Sequence, residues 1–193
     1  MDYQLEQWIN AAAGNNPVMD AVMVALAKWS EVAFIALVLG WLFWGMLTRA
    51  AAERRSAFAA LLAAGLALAV NQLISLAWSR PRPFAAHPGR VHLLLSHPTD
   101  ASFPSDHVAA AVAIAVVLVA AHRRLGLITF LVALAVGYAR VFVGDHYPGD
   151  VLGGVVVGLL SGAILLIGRA QAIISWADAR AARGAGSLGL QWK

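Results

Sequence analysis

The chain has 193 residues, of which 61% are hydrophobic and only 12% are charged, with a formal net charge of +4 at pH 7. Soluble domains carry about 25% charged residues, so this composition excludes an ordinary soluble domain and indicates a membrane protein. The chain has no cysteine, which excludes disulfides and thiolate metal sites. We therefore predict an all-α, polytopic integral membrane helical bundle.

The N-terminal stretch, residues 1–14, lacks the basic and then apolar order of a cleaved secretory signal peptide. Its apolar residues Leu5, Trp8 and Ile9 recur at helical spacing. A short amphipathic helix of this kind lies at the interface between lipid and water. We therefore expect residues 1–14 to form an interfacial helix.

Five apolar stretches follow, each close to the ~20 residues that a helix needs to cross a bilayer. They cover about 30–48, 56–79, 104–122, 126–144 and 148–168. Residues 17–28 are apolar at helical spacing but short, and we interpret them as a short or tilted first span, for about six transmembrane helices. No linker or repeat divides the chain, so residues 1–175 are predicted to form one membrane-embedded domain. Residues 176–193 are polar and glycine-rich, and we expect a mobile tail.

The basic loops indicate the orientation in the membrane, because cytoplasmic loops carry an excess of Lys and Arg. Three basic segments would face the cytoplasm: 49–55, 122–125 and the C-terminal tail. The same distribution argues against a nucleic-acid partner. The loop 80–103 then lies outside, although it contains Arg80, Arg82 and Arg90. An arginine cluster on this side is explained if it binds an anion.

Three polar stretches interrupt the apolar pattern, and the predicted topology puts all three on the outer face. They are SRPRPF (79–84), SFPSDH (102–107) and GYARVFVGDHYPGD (137–150). Arg82 and Arg140 supply the forked donors that suit phosphate oxygens. Ser105 and His107 fall in the first turn of the helix that Pro104 starts, where free backbone N–H groups favour an anion.

The third stretch also contains a candidate nucleophile. Asp150 follows His146 by four residues and could accept a hydrogen bond from one imidazole nitrogen, which leaves the other nitrogen free to attack phosphorus. His107 would then protonate the leaving oxygen. The pattern predicts phosphoryl transfer through a phosphohistidine, with His146, Asp150 and His107 as the catalytic residues.

Other interpretations of these residues remain open at this point. A metal site built from four of them fits the residue types, but the neighbouring arginines would repel a cation; its members would be Asp106, His107, His146 and Asp150. We therefore predict no metal and no cofactor. Charged residues at membrane helix ends also occur as simple interfacial anchors. Asp145 is interpreted as a helix-end or loop residue that tunes the site, and a catalytic role for it stays open. Four histidines are interpreted as solvated loop residues: His87, His92, His97 and His122.

In these stretches the chain resembles the type 2 phosphatidic acid phosphatase superfamily of integral membrane lipid phosphatases. The family pattern is Lys-x6-Arg-Pro, Pro-Ser-Gly-His and Ser-Arg-x5-His-x3-Asp. It is matched in order and spacing, with three departures: Ser75 for lysine, Asp106 for glycine and Ala139 for serine. The resemblance implies that His146 is the nucleophile, that Asp150 orients it and that His107 is the general acid.

The resemblance also implies phosphate binding by Arg82, Ser105 and Arg140, with Arg80 as a substitute for the missing lysine. SFPSDH and RPRPF together resemble the bacitracin-resistance subgroup, whose members are undecaprenyl pyrophosphate phosphatases. This implies a bacterial inner-membrane enzyme that removes the terminal phosphate of undecaprenyl pyrophosphate on the outer face, without a metal ion. The reaction would recycle the lipid carrier of cell-wall synthesis and give bacitracin resistance.

Two other functions are alternatives to this one. A broader lipid phosphatase would act on phosphatidylglycerol phosphate or phosphatidic acid, and Ser75 and Asp106 are the residues that disfavour it. A bacitracin transport permease would show internal repeats or polar residues in mid-membrane, and neither is visible. The predicted partners are a lipid pyrophosphate substrate and membrane lipids, without nucleic acid; the oligomeric state does not follow from the sequence.

Overall fold

The computed structural model describes residues 1–187, with side chains for residues 1–180, and these residues form eight helices without a strand. This confirms the all-helical class. The helices are α1 (Asp2–Asn10), α2 (Pro17–Leu47), α3 (Ala51–Ala77), α4 (Pro83–Ala86), α5 (Asp106–Ala121), α6 (Arg123–Phe142), α7 (Pro148–Leu166) and α8 (Gly168–Ser187).

Four helices in the described part of the chain, α2, α3, α6 and α7, are long and apolar enough to cross a bilayer. The apolar helix α5 has only 16 residues. Residues 17–28 do not form a helix separate from 30–48; both belong to α2, which has 31 residues. Asn16 caps its start through Val18 N–H, and neither Gly nor Pro interrupts the junction near Trp29. The described residues therefore contain four helices long enough to cross a bilayer and one shorter apolar helix, and the count of about six spans stays a prediction.

The centre of the bundle is the contact between α5 and α7. Gly154, Gly158 and Gly162 recur every four residues along α7 and face α5. A Cβ atom at Gly158 would lie 2.6 Å from the carbonyl oxygen of Ala109, closer than real Cβ contacts allow. Small residues at this spacing let two helix backbones approach closely in lipid. The glycine spacing in the sequence thus corresponds to close helix packing.

The helix α1 lies across the turn that joins α6 to α7. Asn10 donates from Nδ2 to the carbonyl oxygen of Phe142 at 2.8 Å, which fixes the end of α1 to the end of α6. Leu5 and Trp8 remain exposed, while Ile9 packs against buried apolar residues. This arrangement suits the predicted interfacial position, with an apolar surface available to lipid.

The helix α8 contains the start of the segment that was predicted to be a mobile tail. Asp178, beyond the predicted boundary at residue 175, is buried and pairs with Arg54 at 3.0 Å and with Arg55 at 3.2 Å. The chain thus stays docked on α3 past residue 175. Residues 188–193 lie outside the described residues, and the mobility of the tail stays a prediction.

The variant Gly158→Ala should lower the stability of the bundle by about 1–3 kcal/mol, because the added methyl group must push α5 away. Thermal unfolding in detergent measures this loss. Gly40→Ala on α2 is the matched control, since a Cβ atom there meets nothing within 4 Å. Equal melting temperatures for the two variants would contradict the close α5–α7 contact.

Candidate active site

The three polar stretches meet where α3 and α6 end and α5 and α7 begin. Ser102 N–H donates to the carbonyl oxygen of Arg80 at 2.8 Å, which joins the first two stretches. Ser105 N–H donates to the carbonyl oxygen of Asp150 at 3.0 Å, which joins the second to the third. The structure therefore brings together the segments that the topology put on one face.

His146 is buried, and both of its ring nitrogens have defined neighbours. Its Nδ1 lies 2.9 Å from the Ser102 carbonyl oxygen, and its Nε2 lies 3.2 Å from Arg82 Nη1 and 3.4 Å from Arg140 Nη2. A carbonyl only accepts and a guanidinium only donates, so Nδ1 carries the proton and Nε2 presents its lone pair. Burial, reinforced by Arg140, lowers the pKa of His146 well below the ordinary histidine value. This geometry fits a neutral ring whose Nε2 lone pair faces the two arginines.

A tight turn between α6 and α7 presents this ring. Gly144 has φ +84°, and a Cβ atom there would lie 2.6 Å from Val91 Cγ1, so both backbone conformation and space require glycine. Pro148 occupies the first turn of α7, where its missing N–H costs nothing. The turn thus ends one helix and starts the next within a few residues of His146.

Asp150 positions His146 through Ser102 rather than directly. Its Oδ2 lies 3.6 Å from His146 Nδ1, too far for the predicted hydrogen bond. The buried carboxylate instead accepts from Tyr147 N–H and from Arg80 Nη1, both at 2.8 Å, and from the Ser102 hydroxyl. Because the Ser102 carbonyl oxygen accepts a hydrogen bond from His146 Nδ1–H, Ser102 links the Asp150 carboxylate to the histidine.

Arg80, predicted as a phosphate ligand, has other partners in the structure. Its Nη1 binds Asp150 at 2.8 Å and its Nη2 binds Asp2 at 2.7 Å. Its guanidinium carbon also lies 3.8 Å from the centre of the Tyr147 ring. These contacts direct Arg80 towards Asp150 and α1, and not towards His146 Nε2. They indicate an anchor rather than a phosphate ligand.

Asp145 lies between the two arginines that face the nucleophile. Its Oδ1 is 2.9 Å from Arg82 Nη1, and its Oδ2 contacts Arg140 Nη2. Two further donors have other acceptors: Arg82 Nε binds Asp100 at 2.8 Å, and Arg140 Nη1 lies 3.4 Å from the Ala27 carbonyl oxygen of α2. Arg140 Nε has no hydrogen-bond partner among the described residues. One buried carboxylate thus compensates both cations at the predicted phosphate site.

Ser105 and His107 complete the set of predicted residues. Ser105 is buried, and its hydroxyl has no hydrogen-bond partner within the described part of the protein. His107 Nε2 lies 3.2 Å from Glu31 Oε1 on α2. Glu31 follows Ala27, the acceptor for Arg140, by one helical turn. His107 and Arg140 therefore approach the same short stretch of α2.

Two residues that depart from the family pattern support the segment before α5. Ser75 donates to the Phe103 carbonyl oxygen at 3.1 Å, and Asn71 donates to Asp106 Oδ1 at 2.7 Å. The alternative metal site would need Asp106 together with His107, His146 and Asp150. Among residues 1–180, no three His, Asp or Glu side chains form a group suited to a metal ion. The structure therefore does not assemble that set.

Sequence reasoning missed several residues of this site. His97, interpreted as a solvated loop residue, lies 3.5 Å from Asp100 Oδ1 and 3.8 Å from Asp145 Oδ1. Ser102 lies within the SFPSDH stretch, but the sequence assigned it no role. No sequence pattern connected Asp2 or Glu31 to the site. Apart from Asp100, which is three positions from His97, the partners of these residues are remote in sequence, so local patterns could not reveal them.

The chain is similar to known membrane phosphatases in sequence and in fold. A family model described as the PAP2 superfamily matches residues 56–173. The chain is 37% identical over 164 residues to "Undecaprenyl-diphosphatase BcrC" of Bacillus subtilis (84% of this chain, 81% of that protein). It is 32% identical over 155 residues to "Bacitracin transport permease protein BcrC" of Bacillus licheniformis (80% and 74%). The crystal structure of Aquifex aeolicus LpxE has a similar fold, with TM-score 0.70, 28% identity and coverage of 86% and 94%.

Removing the Asp150 charge should destabilise the protein more than removing the Asp2 charge, although both carboxylates bind Arg80. Asp150→Asn takes away a buried acceptor of hydrogen bonds from Tyr147 N–H, Arg80 and the Ser102 hydroxyl, at a cost of about 1–3 kcal/mol. Asp2 is 32% exposed, and Asp2→Asn should cost about 1 kcal/mol or less. Chemical denaturation in detergent measures both. Equal losses would show that Asp150 is not the buried anchor of the site.

Proposed function

The chain belongs to the PAP2 superfamily, and from this premise we propose that it hydrolyses undecaprenyl pyrophosphate to undecaprenyl phosphate and inorganic phosphate. The observation that carries the proposal is the neutral imidazole of His146, with Nε2 flanked by Arg82 and Arg140. The similarity to a Bacillus subtilis protein named undecaprenyl-diphosphatase supports the substrate.

The reaction proceeds through a phosphohistidine in this proposal. Arg82 and Arg140 bind oxygens of the terminal phosphate, and the buried Ser105 hydroxyl adds a donor. His146 Nε2 attacks phosphorus, the bond to the bridging oxygen breaks, and His107 gives its proton to that oxygen. A water molecule, deprotonated by His107, then attacks the phosphohistidine. This step releases inorganic phosphate and restores His146, so the balance needs no metal ion or cofactor.

A groove beside His107 suits the isoprenoid chain of the substrate. Its volume is about 260 Å³, and Asp106, His107 and Glu31 are its polar lining residues. The rest of the lining is apolar and comes from α2, α3 and α5: Phe34, Ile35, Val38, Leu61, Ala64, Leu68, Ala110, Ala111 and Ile114. A lipid whose head group reaches the arginines can therefore leave its chain in an apolar channel between membrane helices.

The chain is a multi-pass membrane protein, and we propose that its site faces the periplasmic side of the bacterial inner membrane. The starts of α3 and α6, at the opposite end of the bundle, carry paired arginines: Arg54 with Arg55, and Arg123 with Arg124. Such basic ends face the cytoplasm. Hydrolysis on the outer side recycles the lipid carrier, and it gives bacitracin resistance by removing the lipid pyrophosphate that the antibiotic binds.

A bacitracin permease is the second candidate function, because one relative carries that name. The geometry favours the enzyme. The charged residues collect at helix ends around His146, whereas a transporter places them on broken helices near mid-membrane. Here α6 and α7 each run unbroken up to the turn that carries the site.

Replacing the nucleophile should abolish phosphate release. We expect His146→Ala to lower kcat by on the order of 10³ or more, because no other group supplies the attacking nitrogen. Phosphate release is measured in detergent with EDTA, on undecaprenyl pyrophosphate, phosphatidylglycerol phosphate and phosphatidic acid. His87→Ala is the control, since His87 stacks on Tyr3 away from the nucleophile.

Each outcome of this assay decides one part of the proposal. No release by the unmodified protein would contradict the phosphatase function, and comparable rates on all three lipids would favour the broader lipid phosphatase. Loss of activity with EDTA would contradict the metal-free mechanism. Activity retained by His146→Ala would exclude the assigned nucleophile.

Filling the groove should weaken binding of the long lipid. Ala64→Trp should raise KM for undecaprenyl pyrophosphate about tenfold, equivalent to about 1.4 kcal/mol, and leave farnesyl pyrophosphate less affected. Ala69→Trp is the matched control, because Ala69 lies on an exposed part of the same helix. Equal KM values for the two variants would show that the chain lies elsewhere.

A further inference from the structure

Asp145 is a fully buried carboxylate that the proposed mechanism does not use. It contacts the same guanidinium nitrogens that face the nucleophile. Arg82 Nη1 lies 2.9 Å from Asp145 Oδ1 and 3.2 Å from His146 Nε2. Arg140 Nη2 contacts Asp145 Oδ2 and lies 3.4 Å from His146 Nε2. The carboxylate thus takes the donors that a phosphoryl group needs.

The position of this carboxylate also matches that of a bound phosphoryl group. Asp145 Oδ2 lies 4.0 Å from His146 Nε2. Reacting atoms stand about 3–3.5 Å apart before attack, so the oxygens of a phosphoryl group at His146 would lie in this region. Two anions cannot both hold the same two donors without strong repulsion. Asp145 and the substrate therefore compete for Arg82 and Arg140.

We propose that Asp145 is an internal competitor for the phosphoryl site and thereby selects diphosphate substrates over monophosphates and inorganic phosphate. The inference rests on the proposed function and deepens it. A diphosphate carries more negative charge than either product, so it displaces the carboxylate more readily than they do. Asp145 then weakens retention of both products and favours turnover.

The surroundings of Asp145 permit this exchange without unfolding the turn. Its backbone N–H remains bonded to the Arg140 carbonyl oxygen at 3.1 Å, so only the side chain needs to rotate. His97 Nδ1 lies 3.8 Å from Asp145 Oδ1 and offers another donor to the displaced carboxylate. The arginines themselves keep Asp100 and the Ala27 carbonyl as partners, so they stay in place.

Binding of inorganic phosphate tests the inference directly. Asp145→Asn removes the competing charge and should tighten phosphate binding about tenfold. Isothermal titration calorimetry on the purified protein in detergent measures this affinity without turnover, and product inhibition of undecaprenyl pyrophosphate hydrolysis measures it during catalysis. Glu53→Gln is the matched control, because Glu53 lies in the first turn of α3, at the opposite end of the bundle from Asp145. Its effect should stay below about threefold, since a charge at that distance is largely screened.

A purely structural role predicts the opposite sign. If Asp145 only holds the arginines in place, Asp145→Asn will leave phosphate affinity unchanged or lower it, and the inference is overturned. Should Asp145→Asn melt well below the unmodified protein, Asp145→Ala repeats the titration. For the unmodified protein, the infrared difference spectrum on phosphate binding should show a shifted carboxylate band; no shift would also overturn the inference.

The two proposals can fail separately in this experiment. If the unmodified protein releases no phosphate from undecaprenyl pyrophosphate while Asp145→Asn binds phosphate more tightly, the proposed substrate is wrong and the competing carboxylate stands. If hydrolysis is observed but phosphate affinity does not rise in the variant, the proposed function stands and the inference about Asp145 fails.

Discussion

Two buried arginines, Arg82 and Arg140, impose the main constraint on the end of the bundle that carries the site, because a buried cation needs an anion close by. They come from different polar stretches, and one buried carboxylate lies close to both. Asp145 meets that need from the turn between α6 and α7. The same turn carries His146, so compensating the arginines also places the imidazole Nε2 against them. The same turn therefore compensates the arginines and positions the His146 ring.

The tautomer of His146 depends on a second network, on the Nδ1 side of the ring. Asp150 accepts a hydrogen bond from the Ser102 hydroxyl, and the Ser102 carbonyl oxygen accepts one from His146 Nδ1–H. The imidazole proton is therefore on Nδ1, and the lone pair is on Nε2. Arg80 extends the network to Asp2, so the N-terminal helix is tied to the carboxylate that orients the site. Helix α1 is therefore linked to the candidate site through Asp2 and Arg80, although none of its residues contacts His146.

Helix packing sets the distances on which both networks rely. The glycines of α7 allow α5 to approach closely, and Ser105 at the start of α5 then bonds to the Asp150 carbonyl oxygen. Close backbone approach is the usual means of helix association in lipid, where apolar burial provides little drive between helices. The feature that stabilises the membrane bundle thus also brings the second polar stretch to the third.

The sequence by itself determined the helical class, the three polar stretches on one face and the residues His146, Arg82 and Arg140 at their centre. The period of apolar residues and the spacing of motifs are local properties of the chain, so they can be recognised from the sequence alone. Only the tertiary structure decided that α2 is continuous and that Arg80 binds Asp150 and Asp2. It also decided that Ser102 forms hydrogen bonds to both Asp150 and His146. It alone placed Asp145 on the arginines. Such contacts join residues far apart in the chain, as Ser102 and His146 are, 44 positions apart, and their geometry exists only once the helices pack.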